Sequence, residues 1–395
     1  MNPSVKLSQV PPYLFAEIDK KIAAARAKGV DIINLGIGDP DRPTPKLIVD
    51  EMHKSIDDAS THDYPPYNGT GEFRTACANW MKRRFGVDVD PNDEVIALIG
   101  SKEGIAHIIF AMVDPGDYVL VPDPGYPVYK SFTILSGGNV HTMPLTPENN
   151  FQPDLNQIPE EIAKKAKVMF INYPNNPTGA ISDLEYFKKV LEFAKKYDIL
   201  ICNDMAYSEM TFDNYVAPSF LEVEGAKDHC IEFYSHSKTY NMTGWRVGFA
   251  AGSKKGIDAL SLIKNNCDSG VFKAIQKAAT LALDNHENLI DDINSVYQER
   301  RDLFIEGLNK LGWNLKPNKA TFYLWLPVPE GMTSVEFATL MLEKAGIVVP
   351  AGNGYGNCGE GFFRIALTVS TDRLNEALSR MEKNNIRFDA LKVAQ

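Results

Sequence analysis

Lys167-Val168-Met169-Phe170-Ile171, followed by Asn172-Tyr173-Pro174-Asn175-Asn176-Pro177, is the stretch on which the fold turns. An apolar run this short has the length of a strand buried on both faces, and the Asn and Pro cluster behind it stops the strand. Ser182 and Glu185 then stand at capping-box spacing ahead of a segment that reads as helix to about Lys196. Residues 199–203 begin the next strand. Strand, turn, helix, strand is a crossover unit, and such units build parallel sheets covered by helices.

The pattern extends in both directions. Residues 94–98 end in Gly100-Ser101-Lys102-Glu103-Gly104, after which 105–113 read as helix. Residues 117–121 are closed by Pro122-Asp123-Pro124-Gly125, and 231–234 and 247–251 add two more strands. The expected architecture is α/β, with a mainly parallel mixed sheet carrying helices on both faces. Beyond Asn285 the texture changes. Leu289, Ile293, Val296, Leu303, Leu308 and Leu311 fall at near-helical spacing and predict one long helix. Thr333 with Glu336 marks the cap of another helix, residues 372–383 predict a third, and 322–326 and 363–367 read as strands. The chain therefore divides into an N-terminal arm contributing to a small domain (1–45), a large domain (46–285) and a small α/β domain (286–395). The small domain is expected to share its sheet and cleft with the N-terminal segment.

Composition excludes several classes of function. The chain has 395 residues, with 41 Lys and Arg against 51 Asp and Glu, a formal charge of -10. An acidic chain has no global attraction to nucleic acid or anionic membrane. Its longest apolar runs are strand-sized, and Met1-Asn-Pro-Ser-Val-Lys6 does not open a signal peptide, so a cytoplasmic enzyme is expected. The five cysteines are scattered without a Cys-x-x-Cys pair, which argues against a disulfide framework and a zinc site; no metal is expected.

In open parallel sheets ligands bind beyond the carboxyl ends of the strands. Ser101 and Lys102, Asn176, Asp204 and Tyr207, and Ser235-His236-Ser237-Lys238 each follow a predicted strand. A lysine beside hydroxyls and Arg246, with an aspartate on a neighbouring strand end, suits a phosphorylated aldehyde. Arginine, serines and helix-start amides would hold the phosphate, the lysine would form a Schiff base, and the aspartate would keep a ring nitrogen protonated. The cofactor with those parts is pyridoxal 5′-phosphate. Taken singly, each residue has an ordinary explanation: a solvated lysine, a turn aspartate, an arginine in a structural ion pair.

Ser235-x-Ser237-Lys238 with Gly244-Trp245-Arg246-x-Gly248 resembles the lysine motif of the class I pyridoxal-phosphate-dependent aminotransferases, of fold type I. Asn172-Tyr-Pro-Asn-Asn176-Pro-Thr-Gly179, Asp204-x-x-Tyr207 and Phe363-Arg364-Ile365 resemble three further signatures in the family's order. The resemblance spans about Asp31 to Met381. It implies Lys238 as the cofactor lysine and catalytic base, Asp204 on the pyridine nitrogen, and Asn176 and Tyr207 on the ring hydroxyl oxygen. Tyr126 would stack on the ring, and Ser101, Lys102, Ser235, Ser237 and Arg246 would surround the phosphate. Tyr64, favoured over Tyr67 by its spacing to Gly69 and Arg74, would reach the phosphate from a partner subunit of a homodimer. Arg364 would grip the substrate α-carboxylate in bidentate fashion.

Pro12-Tyr13-Leu14-Phe15, Leu35-Gly-Ile-Gly38-Asp39-Pro40, Gly100-Ser-Lys-Glu-Gly104 and Asn241-Met-Thr-Gly-Trp-Arg246 are similar to the short-form LL-diaminopimelate aminotransferases within this family. The likeness implies exchange of an amino group between LL-diaminopimelate and 2-oxoglutarate in lysine biosynthesis. Tyr13, Gly38 and Lys102 become substrate-side positions, joined by Tyr126, Asn176 and Arg364, with segment 11–15 as a lid. Tyr67 and Lys273 depart from the long-form enzymes at positions that would read the far end of the donor. Aspartate, alanine or an aromatic amino acid as donor, a β-lyase on the same fold and an effector-binding regulator are the alternatives.

Overall fold

Val168 and Phe170 join one apolar cluster and Met169 and Ile171 another, so the strand that carries them is buried on both faces. Its neighbours alternate in the same way, with Ile201 against Cys202 and Ala251 against Ala250. This is how a continuous apolar run serves two helical layers at once. The computed structural model describes residues 1–11, 14–27 and 29–388. Its strands are β1 (Ile33–Asn34), β2 (Val95–Leu98), β3 (Tyr118–Asp123), β4 (Asn139–Pro144), β5 (Ala166–Ile171), β6 (Leu200–Asp204), β7 (Cys230–Ser235), β8 (Gly248–Gly252), β9 (Tyr323–Pro327), β10 (Ile347–Val348) and β11 (Phe362–Ala366).

Seven of these form one sheet in the order β2-β8-β7-β6-β5-β3-β4. From β4 to β7 every pair is parallel, while β8 runs antiparallel to both β7 and β2. The mainly parallel mixed sheet is as the sequence reads. The sequence reading omits β4, an edge strand whose Asn139 and Pro144 are exposed and which therefore lacks an apolar run. Because β8 reverses the sense twice over, β2 points the same way as β7. The carboxyl ends of β2, β3, β5, β6 and β7 and the start of β8 consequently share one edge.

The Ser182–Glu185 capping box is corrected. The helix is Leu184–Tyr197 and its cap is Asp183, whose Oδ1 accepts from the Tyr186 amide at 2.8 Å. Ser182 Oγ instead accepts from Gln152, and Glu185 pairs outward with Lys188. Asp caps as well as Ser does, and the later start turns Phe187, Val190, Leu191 and Ala194 toward the sheet. The Thr333–Glu336 box is present as expected, with both reciprocal hydrogen bonds, and the long helix is His286–Lys310.

The C-terminal region has its own apolar cluster around antiparallel β9 and β11. The N-terminal segment is laced into it. β1 pairs with β10, Ala366 N donates to Leu35 O at 2.7 Å, and Thr368 Oγ1 donates to Ile37 O at 2.7 Å. Arg300 clamps Asp41 through two bonds of 2.6 and 2.8 Å. Residues 36–41 are thereby suspended over the sheet edge. All five cysteines are free, and no helix among the described residues is long and apolar enough to cross a membrane.

Candidate active site

The shared edge of the sheet opens into a cleft of about 380 Å³, within the range that takes small ligands. Ser101, Lys102, Tyr126, Asn176, Asp204, Tyr207, Ser235, Ser237, Lys238, Arg246 and Gly38 all line it. Register explains the grouping at one end. Leu98 and Ser235 both pair with Gly248, so the chain leaving β2, the chain leaving β7 and the chain entering β8 meet at one point. Ser101 opens the Ser101–Met112 helix there, and Ser235 caps the turn bearing Lys238 by accepting from Ser237 N at 3.2 Å. Arg246 adopts φ +55° and donates to Thr243 O at 2.8 Å. Gly100 is required beside it: its φ is +76°, and a Cβ would overlap the Arg246 guanidinium. Helix-start amides, hydroxyls and a guanidinium form an anion pocket.

Asp204 lies deeper. Tyr129 Oη donates to its Oδ2 at 2.8 Å, Ala206 N donates to Oδ1 at 3.3 Å, and Asn172 Nδ2 donates to its backbone carbonyl at 2.6 Å. Burial pushes the carboxyl up to about 6, against the pull of the hydrogen bonds. Lys238 Nζ donates to Gly38 O at 2.6 Å. Burial brings this amine down to about 8; the nearby Asp39 opposes the shift, and Arg364 and Arg246 add to it.

Arg364 sits mid-strand on β11 with no exposed surface. Its Nη1 donates to Asn176 Oδ1 at 2.9 Å and its Nη2 to Gly36 O at 2.6 Å. The guanidinium lies 4.0 Å from the ring centre of Tyr323 and 5.0 Å from that of Tyr355. Asn176 thus turns its amide oxygen to the arginine.

Some expected residues lie elsewhere. Tyr64 is 84% exposed and Tyr67 47%, and neither lines the cleft of its own chain. Lys273 does not line it either: it is ion-paired with Asp63 and donates to Ser60 O at 3.2 Å. Tyr13 lies outside the described residues. The sequence reading missed Tyr129, Tyr323 and Asp39. Tyr129 follows Tyr126 by three residues at the start of a helix, which is a same-face spacing that points to it. Tyr323 sits in an apolar run and carries no such signal. Glu103, His107 and Asp268 also gather within 4.8 Å. The buried Lys264 ammonium already lies 2.9 Å from Asp268 and 3.4 Å from Glu103, which makes this cluster an ion-pair network.

Residues 30–381 match the family model for aminotransferase class I and II. The chain is 58% identical over 384 residues to an LL-diaminopimelate aminotransferase 2 of Nostoc sp., covering 97% of this chain and 98% of that protein. It is 56% identical over 391 residues to an LL-diaminopimelate aminotransferase of Gloeobacter violaceus, covering 98% and 100%. Among solved structures, substrate-bound BacF of Bacillus subtilis superposes with a TM-score of 0.94 at 37% identity over 99% of this chain and 100% of that one. A Thermus thermophilus aspartate aminotransferase double mutant gives 0.90 at 28% identity over 97% and 100%. A fold of this topology, with lysine, aspartate and arginine brought to one cleft, and relatives matched along nearly the whole length place the chain in the class I and II aminotransferases.

Proposed function

We propose that this aminotransferase moves the amino group of LL-diaminopimelate to 2-oxoglutarate in lysine biosynthesis, using pyridoxal 5′-phosphate held by Lys238 in a cytoplasmic homodimer. The observation that carries the reading is the grouping of three chemistries: an anion pocket at Ser101, Ser235, Ser237 and Arg246, the Lys238 amine and the buried Asp204 carboxylate lining the same cleft, and the fully buried Arg364 guanidinium behind the lining residue Asn176. The names of the most similar relatives supply the donor.

The donor set fits the cofactor. The Arg246 guanidinium occupies the space a Cβ on residue 100 would fill, and it lines the pocket where a phosphate would sit. Asp204, raised by burial, gains most from a cationic ring nitrogen beside it, because an opposite charge relieves a buried carboxylate. When bound, the cofactor supplies an electron sink for charge developing at the amino acid Cα. Tyr126 and Tyr207 line the same cleft and would hold the ring, and Asn176, its oxygen engaged by Arg364, would have its amide N–H left for the ring oxygen. Lys238 would remove and return the proton at Cα. Burial, which brings this amine down to about 8, favours the free base that a proton-accepting role requires.

Arg364 would take the reacting carboxylate, since a rigid planar fork matches it in a way lysine cannot. Lys102, which lines the cleft beside Ser101, would meet the far carboxylate, and the N-terminal segment carrying Gly38 would roof the site. The exposed Tyr64 loop fits a residue lent to the phosphate of a second subunit. The test is kcat/KM for LL-diaminopimelate, meso-diaminopimelate, aspartate, alanine and phenylalanine with 2-oxoglutarate. LL-diaminopimelate should lead, and Lys102→Ala should cost it about 10- to 150-fold more than it costs glutamate, the worth of one charge-assisted bond of about 1.5–3 kcal/mol. A lead of about tenfold or more for aspartate or an aromatic donor would overturn the donor assignment and leave the reaction class.

A further inference from the structure

Tyr323 lines the cleft, neither the motifs nor the chemistry above gives it a role, and it touches Tyr207, Arg364 and the segment carrying Gly38. Its hydroxyl lies 2.9 Å from the Tyr207 hydroxyl, the two rings meeting edge to face at 71°. Its ring face carries the Arg364 guanidinium at 4.0 Å. A Cβ on Gly38 would overlap its hydroxyl, so the roof segment is cut away to admit this one atom. Tyr323 is 3% exposed and fixed on β9 directly opposite Ala366 of β11, two residues from Arg364. Its backbone is anchored too, the carbonyl accepting from Asn318 Nδ2 at 3.1 Å and the amide donating to Thr321 Oγ1 at 3.2 Å.

We propose that Tyr323 is a positioning residue that relays a hydrogen bond through Tyr207 to the cofactor ring oxygen while its ring supports Arg364, and this rests on the reading of the site given above. A phenol has one hydrogen to donate. Once Tyr207 donates to the ring oxygen, it can only accept from Tyr323, which fixes the direction of the pair: Tyr323 donates to Tyr207, and Tyr207 donates to the cofactor. Hydrogen bonds in such a chain polarise one another, so the outer donor makes Tyr207 the stronger one. The same side chain sets the platform under the carboxylate-binding arginine. Charge on the ring oxygen and grip on the substrate are therefore coupled through one residue of the C-terminal region. The charged groups around this pair are Asp204 and Arg364, with Asp39 and Arg246 facing Lys238, and none of them is altered by Tyr323→Phe.

The test uses the holoenzyme, its visible absorption band and amino-acid kinetics. The band's pH midpoint reports the proton shared between the Lys238 nitrogen and the ring oxygen. Weakening the donor to that oxygen leaves more charge on it, holds the proton more tightly and raises the midpoint. Tyr207→Phe should raise the midpoint most, and Tyr323→Phe by a few tenths of a pH unit, the share expected of a second bond in a chain. The double variant should sit with Tyr207→Phe alone, because the outer bond acts only through the inner one. Tyr323→Phe, which keeps the ring, should leave KM for the amino acid within about twofold, whereas Tyr323→Ala should raise it several-fold by removing the platform. A Tyr323→Phe midpoint equal to wild type, with Tyr207→Phe shifted, refutes the relay and spares the site reading. An unshifted Tyr207→Phe refutes the site reading and the relay with it.

Discussion

Replacing Asp204 with asparagine should stabilise the cofactor-free protein at neutral pH while abolishing most of its turnover. The carboxyl is 5% exposed, and burial raises it from 3.8 to about 6 in spite of the Tyr129 and Ala206 hydrogen bonds. A folded-state pKa above the unfolded one means that the folded protein binds more protons between about pH 4 and about pH 6. Stability contributed by this group therefore falls as pH rises through that window and is flat above it. A shift of about two units corresponds to a penalty of about 3 kcal/mol at pH 7. Asparagine keeps an oxygen to accept from Tyr129 and carries no charge, so it escapes the penalty. The stability gap between variant and wild type should be near zero around pH 4 and grow to about 2–3 kcal/mol by pH 7. The assay is denaturant unfolding of both cofactor-free proteins across that range. A gap that is constant, or that narrows as pH rises, would show that the carboxylate is not strained by burial. In the loaded enzyme the same substitution would remove the proposed partner of the ring nitrogen and should lower turnover by orders of magnitude.

Borohydride reduction of the holoenzyme should fix the pyridoxyl group on the peptide containing Lys238; label on any other lysine would refute that assignment. Arg364→Lys should lower kcat/KM for glutamate by about 10- to 150-fold, since a single ammonium gives up one charge-assisted bond of about 1.5–3 kcal/mol. Of its three N–H groups, Asn176 and Gly36 would take two and leave a single donor for the substrate carboxylate. A change below about threefold would mean that another group holds the carboxylate.

Much of the site was legible because topology places it. Ser101 and Asn176 follow a strand, Asp204 and Ser235 end one, and the ends of parallel strands must share an edge. Arg246 precedes a strand, and its presence at that edge follows only from the reversal of β8, which apolar patterning does not record. Tyr323 was invisible for a different reason. A tyrosine in an apolar strand reads as core, and its partner Tyr207 is 116 residues away. Lys273 was assigned to donor recognition from an aligned position, yet its ion pair is with Asp63, on a loop 210 residues earlier. The helix start at 183–184 was missed by one residue because Ser182 and Asp183 are both competent caps, and only the burial of the face behind them decides between the two.

The two ends of the cleft are assembled over very different lengths of chain. The anion end comes from residues 235–246, which leave β7 and re-enter the sheet as β8, with 100–102 beside them. The other end exists only once Arg364 has met Asn176 across 188 residues and Gly36 across 328. Loops of that length close late in folding, and β11 belongs to an apolar cluster separate from those of the large sheet, which can open as a cooperative unit of its own. Mild heat or denaturant should therefore produce a protein that still retains its phosphate ligand but has lost its hold on the amino acid. Substitutions that loosen β9 or β11 would in the same way surface as a weakened substrate affinity in an enzyme that remains fully loaded.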